Sequence, residues 1–173
     1  MDEMQRRREM MVRCQLADRG IDDPAILAAF RNVPRHRFVS EDLREDAYDD
    51  GPLPIGEGQT ISQPFIVAQM IAAARIGPGS HVLEIGAGSG YAAAILARLA
   101  ASVIAIERHE ALATEAKRRI DALGLRNCTM LAGDGMAGRL AAAPFDAILV
   151  AARDAEVPER QKDVADLQIV EGR

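Results

Sequence analysis

Apolar residues follow two different regimes along this chain. From Gly77 onward they come in short runs separated by amphipathic stretches, whereas before Gly77 prolines, glycines and charges break the period. The regular part predicts strands at His81–Ile85, Ser102–Glu107, Cys128–Leu131 and Phe145–Val150. Between them, helical spacing predicts helices over Tyr91–Leu99 and from about Glu110 to Leu123, with Gly124 as the stop. Strands alternating with helices imply right-handed crossovers. The expected class is α/β, a mostly parallel sheet with helices on both faces.

The N-terminal part reads as a cap on that sheet. A helix is expected from about Asp2 to Ala17, with Met4, Met11, Val12 and Leu16 as its apolar positions. Asp22-Asp23-Pro24 looks like an N-cap followed by proline at the first helical position, starting a helix over Pro24–Phe30. Val33-Pro34 ends it, because a residue before proline avoids helical geometry. Arg37 to Ile55 has no clear period and is expected to be loop. Gly56-Glu-Gly-Gln-Thr-Ile-Ser-Gln-Pro64 then leads into a helix over Phe65–Ala74, which places Ser62 or Gln63 at its N-terminus. Free N–H groups there favour an anion; a plain N-cap role for Ser62 is the simpler alternative.

Composition narrows the class little but excludes some partners. The 173 residues suit one domain: a cap over 1–75, an α/β core over 76–152 and a short tail over 153–173. Aromatics are only 3%, so a core of Leu, Ile, Val, Ala and Met is expected, and the net charge of −5 argues against nucleic acid. The run Arg6-Arg7-Arg8 reads as a solvated helix face. Cys14 and Cys128 lie far apart and read as free, partly buried thiols, and the three histidines are too scattered for a metal site. With no long apolar span or leader in view, no membrane partner is expected and the cytoplasm is the simplest compartment.

Candidate chemistry gathers at the carboxyl ends of the predicted strands, where parallel sheets bind ligands. Glu84 and Gly86-Ala87-Gly88-Ser89-Gly90 close the first strand, Glu107 closes the second, and Asp134-Gly135 follows the third. A dinucleotide fingerprint is G-x-G-x-x-G. Here the third glycine comes one position early, so nothing is specified to hold a pyrophosphate. A cationic, phosphate-free nucleoside such as S-adenosylmethionine suits this turn better than NAD. Glu107 is placed to accept ribose hydroxyls and Asp134 the adenine amine. A solvated strand end and a simple turn are the plainer readings of those two residues.

The chain resembles the protein-L-isoaspartate O-methyltransferases from about Met11 to Ala152. The most specific residues are Pro52-Leu-Pro-Ile-Gly-Glu-Gly-Gln-Thr-Ile-Ser-Gln-Pro64, with support from Val33-Pro-Arg-His-Arg-Phe-Val39 and Ala47-Tyr-Asp-Asp50. The resemblance implies a Rossmann-like S-adenosylmethionine-dependent methyltransferase fold. It also implies methyl transfer to the α-carboxylate of L-isoaspartyl residues in damaged proteins or peptides; the ester then collapses to a succinimide that can reopen to aspartate. Ser62 falls on an active-site position of the family. Gln59, Thr60 and Ile61 fall on positions bordering the cofactor, as do Gly86 to Gly90, Glu107, Asp134 and Gly135 on cofactor contacts. The loop from Gly51 to Gly58 is expected to close over the cofactor.

The chain departs from the family after the fourth strand. The expected Gly-Gly turn is absent, and Leu167–Glu171 is read either as a stand-in for a fifth strand or as a later strand brought forward by a deletion. The C-terminal strands are thus reduced, and the strand at 145–150 is expected to have a weakly protected edge open to pairing between chains. Three states remain open: a minimal monomeric enzyme, a dimer completing its sheet through that edge, or a module that binds S-adenosylmethionine without turnover.

Overall fold

The computed structural model describes residues 2–134, 144–151 and 168–171. Helices α1 (Glu3–Met10) and α2 (Pro24–Asn32) open the chain. A hairpin of β1 (Leu53–Gly56) and β2 (Gln59–Ile61) follows, then α3 (Pro64–Ala73). The regular part is β3 (His81–Ile85), α4 (Tyr91–Ala97), β4 (Ser102–Glu107), α5 (Glu110–Ala122), β5 (Cys128–Ala132), β6 (Ala147–Val150) and β7 (Gln168–Glu171).

The five-stranded sheet has the order β5-β4-β3-β6-β7, and every pairing in it is parallel. Strand order reverses at β3, so its carboxyl end opens the crevice where such sheets take ligands. β7 pairs along the whole of β6, from Ala147 opposite Gln168 to Val150 opposite Glu171. The expected stand-in strand therefore exists, and the exposed edge expected at 145–150 does not: β7 covers it. The 145–150 prediction also began too early. Asp146 accepts the His81 N–H at 2.7 Å and donates its own N–H to the His81 carbonyl, which pins the entry to β6 before the ladder starts.

Strand alternation sorts the core. Val82, Val103, Ala105, Met130, Ala147 and Leu149 face one way, into a cluster shared with α4, α5 and the cap. Leu83, Ile85, Ile106, Ile148 and Val150 face the other way, with Phe145 packed on them. The described helices serve the first face; residues 135–143 and 152–167, which run between strands on the way to β6 and β7, lie outside the described residues. Among those described, no helix is long and apolar enough to cross a membrane.

The cap differs from expectation in four ways. The single helix expected over 2–17 widens at Met11–Leu16 into a π-type turn and tightens at Ala17–Arg19. A π-type turn brings residues five apart into line, so Met11 and Leu16 are both buried on one side with Val12. The supposed loop contains the β1–β2 hairpin, whose tip runs left-handed at Gly56, Glu57 and Gly58. The arginine run is not simply solvated: Arg7 pairs with Glu3 and Glu45, and the Arg8 Nε is buried. Cys14 is exposed rather than partly buried. Other signals held. Asp23 accepts the Ala25 and Ile26 N–H groups as the N-cap of α2. At the end of α5, Gly124 (φ +67) and Leu125 return N–H groups to Asp121 and Ile120, closing a Schellman turn.

Candidate active site

The glycine turn is shaped by what presses on it from both sides. Gly86, Gly88 and Gly90 all have positive φ. Gly86 and Ala87 donate to the Ile106 carbonyl at 2.9 and 3.1 Å, lashing the turn to β4. Gly90 is the N-cap of α4, and a methyl added there would lie 2.9 Å from the Ala116 Cβ on α5. Gly88 faces the other way: a methyl there would lie 3.1 Å from the Ile55 Cδ1 of the hairpin. The two glycines thus allow two close approaches, one by a helix and one by the hairpin.

Two carboxylates stand behind this turn on one face of the sheet. Glu107 is buried, its Oε2 accepting the Gly88 N–H at 2.8 Å and its Oε1 the His109 N–H at 2.9 Å. A carboxylate has about four acceptor positions, so these two bonds leave capacity for incoming hydroxyls. Glu84 is also buried, and its Oε2 finds no partner among the described residues. Burial, helped by the neighbouring Glu107, pushes the Glu84 carboxyl up to about 8. Asp134 is exposed just past β5, where the Gly133 N–H donates to the Glu107 carbonyl and ties the two strand ends together. Gly135 lies outside the described residues.

The hairpin reaches this crevice from the cap. Ile55 touches the turn at Gly88, and the Glu57 carboxylate lies 3.7 Å from His109 Nδ1, beyond the end of β4. Gln59, Thr60 and Ile61 form β2, with Ile61 buried, Gln59 half-buried and Thr60 exposed. Ser62 follows directly and is half-buried. It is not the N-cap of α3: Gln63 holds that position, without a side-chain capping bond. The Gln63 amide turns instead to Asp50, donating to Oδ1 at 2.7 Å.

Sequence reasoning missed the partners that fix this arrangement. Arg35 is fully buried, donating through Nε to the Ala47 carbonyl at 2.8 Å and through Nη2 to the Gly51 carbonyl at 3.4 Å. Its guanidinium lies 5.0 Å from the Tyr91 ring, and burial lowers its affinity for its proton. Tyr91, packed edge-on by Phe30 and Phe38, has its phenol pushed well above the ordinary range by burial. This core joins the start of the hairpin to the start of α4. Its one sequence signal is the placing of Arg35 between Val33 and Phe38, two apolar residues that are both fully buried.

Residues 5–166 match the family described as protein-L-isoaspartate(D-aspartate) O-methyltransferase. The chain belongs to that family. It is 57% identical over 155 residues to a protein-L-isoaspartate O-methyltransferase of Methylorubrum extorquens (strain PA1), covering 90% of this chain and 68% of the relative. It is also 57% identical over 151 residues to one from Synechococcus sp., covering 87% of this chain and 62% of that relative. A solved protein-L-isoaspartate O-methyltransferase superposes with a TM-score of 0.82 at 32% identity, over 94% of this chain and 52% of the other. A family structure from Plasmodium falciparum in complex with S-adenosyl-L-homocysteine superposes with a TM-score of 0.79 at 26% identity, over 96% of this chain and 84% of the other. The chain thus spans about two thirds of the length of these curated relatives and about half of the first structure.

Proposed function

We propose that this chain transfers a methyl group from S-adenosylmethionine to the α-carboxylate of L-isoaspartyl residues in damaged proteins or peptides. The observation that carries the reading is the seating of Ile55 on Gly88. It brings the hairpin leading to Ser62 onto the turn that opens the cofactor crevice.

The residues present suit that cofactor. Glu107, whose oxygens keep acceptor capacity, would take the ribose hydroxyls; Asp134 would take the adenine amine. The glycine turn, with Ala87 and Ser89 between its glycines, would border the methionine part, as would Gln59, Thr60 and Ile61. The Glu84 carboxyl, kept largely protonated by burial close behind the turn, would ionise more readily beside a ligand that carries positive charge. When bound, the cofactor supplies a methyl on a sulfonium, already activated for transfer. The acceptor is an anion at neutral pH, so no strong base is required of the protein. What remains is alignment, which can lower a barrier by roughly 7–11 kcal/mol. Ser62 orients the acceptor carboxylate, and the hairpin excludes water. With the donor bound, one carboxylate oxygen would form the new O–CH3 bond while the S–CH3 electron pair would return to sulfur.

The test is Ser62→Ala, assayed for methyl transfer and for cofactor affinity side by side. Transfer should fall while cofactor affinity holds; equal losses in both would remove Ser62 from the role. Cofactor binding by the unmodified chain with no turnover on any isoaspartyl peptide would support the binding-module reading instead. We infer that the chain works in the cytoplasm, consistent with the expected absence of a membrane or nucleic-acid partner.

A further inference from the structure

We propose that Asp50 is a positioning residue for methyl transfer: its carboxylate fixes Gln63, and through Gln63 the backbone that carries Ser62. The inference rests on the function proposed above, since Ser62 matters only if it meets the acceptor.

Ser62 makes no side-chain hydrogen bond to the described residues, so its place depends on its neighbours. One of these neighbours is unusually occupied. Gln63 sits at the N-cap of α3 with extended backbone angles (φ −50°, ψ 138°), yet its side chain leaves the helix N–H groups alone. Its Nε2 donates to Asp50 Oδ1 at 2.7 Å. Asp50 is held in turn from the other side. Arg19 Nη1 lies 3.3 Å from Oδ1 and 3.2 Å from Oδ2, and the Arg19 guanidinium carbon stands 3.7 Å above the ring of Phe65, the second residue of α3. Arg19 therefore touches both the loop and the helix that flank Ser62. Gly51, next to Asp50, is anchored by its carbonyl to the buried Arg35. Three segments distant in sequence meet at one carboxylate, and the residue that it grips directly follows Ser62.

Asp50 and Arg19 are both well exposed, with side chains 47% and 38% accessible. Exposed ion pairs add little to stability. The cluster is thus poorly suited to hold the fold together and well placed to hold a local geometry, where a displacement of about 1 Å can cost up to a hundredfold in rate.

The experiment compares Asp50→Ala with Asp50→Asn. Asn keeps a side-chain oxygen that can accept from Gln63, whereas Ala leaves only the backbone carbonyl of residue 50, a long 3.5 Å from Gln63 Nε2. Asp50→Ala should lower kcat roughly tenfold, with the cofactor Kd within about twofold of wild type and an unchanged melting temperature. Asp50→Asn should recover most of that loss. In a Ser62→Ala background, Asp50→Ala should cost nothing further, because the two act on one step. The proposal is overturned if Asp50→Ala leaves kcat unchanged, if Asn is as damaging as Ala, or if the losses at 50 and 62 simply multiply. Wild-type turnover on an isoaspartyl peptide separates this inference from its premise, since absence of wild-type label refutes the functional reading first. Amide exchange then still decides the positioning. The Val67 amide, which donates to the Gln63 carbonyl at 3.3 Å, should exchange faster in Asp50→Ala and not in Asp50→Asn; unchanged exchange in both sinks the idea.

Discussion

Replacing Gly90 by alanine should unfold this protein more readily than the same replacement at Gly88. Two costs combine. Gly90 has φ +83°, which charges an L-residue roughly 1–2 kcal/mol. The new Cβ would also lie 2.9 Å from the Ala116 Cβ and 3.4 Å from its Cα, on a helix that cannot rotate away. Overpacking of that kind costs about 1–3 kcal/mol. Alanine returns about 0.4–1 kcal/mol through the unfolded chain. The net loss is about 2–4 kcal/mol, or about 5–15 °C in melting temperature for a domain of this size. Gly88 makes the control. Its φ is +53° and its new Cβ would meet only Ile55 Cδ1, the free end of a flexible side chain. Gly88→Ala should therefore cost about 1 kcal/mol in stability while weakening cofactor binding by lifting the hairpin. Adding Ala116→Gly to Gly90→Ala should recover the overlap part, less about 1 kcal/mol for glycine inside a helix. Urea unfolding at neutral pH reads all three. A Gly90→Ala variant as stable as wild type, or less damaged than Gly88→Ala, would refute the packing argument.

Two further predictions concern the carboxylates. Glu107→Gln places an amide N–H2 against the Gly88 or His109 N–H, so cofactor affinity measured by calorimetry should fall about 10- to 100-fold; affinity unchanged would mean that Glu107 serves the turn alone. Glu84 gives a pH signature. Its folded pKa, near 8, lies above the unfolded value, so the folded state keeps a proton that the unfolded chain releases. Stability from this group is whole below the ordinary carboxylate range and is lost as pH rises toward 8, by at most about 1.4 kcal/mol per pH unit. Glu84→Gln should flatten that slope in urea titrations from pH 5 to 8; a slope that persists would assign it to other groups.

What could be read along the chain depended on how local its cause was. β3 and β4 announced themselves as apolar runs because both of their faces are covered, and their bounds agree residue for residue with expectation. Asp23 and Gly124 were legible because capping is decided within a few residues. The β1–β2 hairpin was not. Pro54 and the glycines at 56 and 58 are loop signals, and the ladder tolerates Pro54 because both strands of a two-stranded sheet are edges. Arg35 was invisible for a different reason: charge predicts exposure, and its burial depends on the carbonyls of Ala47 and Gly51 being brought to it by the fold. The candidate residues Glu84, Gly86–Gly90 and Glu107 were placed by motif spacing at adjoining strand ends, and the structure brings them together. Ser62 or Gln63 was expected at a helix N-terminus; the cap is Gln63, and what was not legible is that its side chain is committed to Asp50 thirteen residues back. No local pattern encodes that pairing.

The central claim is that the hairpin and the glycine turn together form a working site for methyl transfer to isoaspartate. Its most direct test is labelled methyl transfer from S-adenosylmethionine to an isoaspartyl peptide, run beside the same peptide with normal aspartate. The account predicts label on the isoaspartyl peptide alone, abolished or sharply reduced by Ser62→Ala. Equal label on both peptides, or none on either while the cofactor still binds, would contradict it.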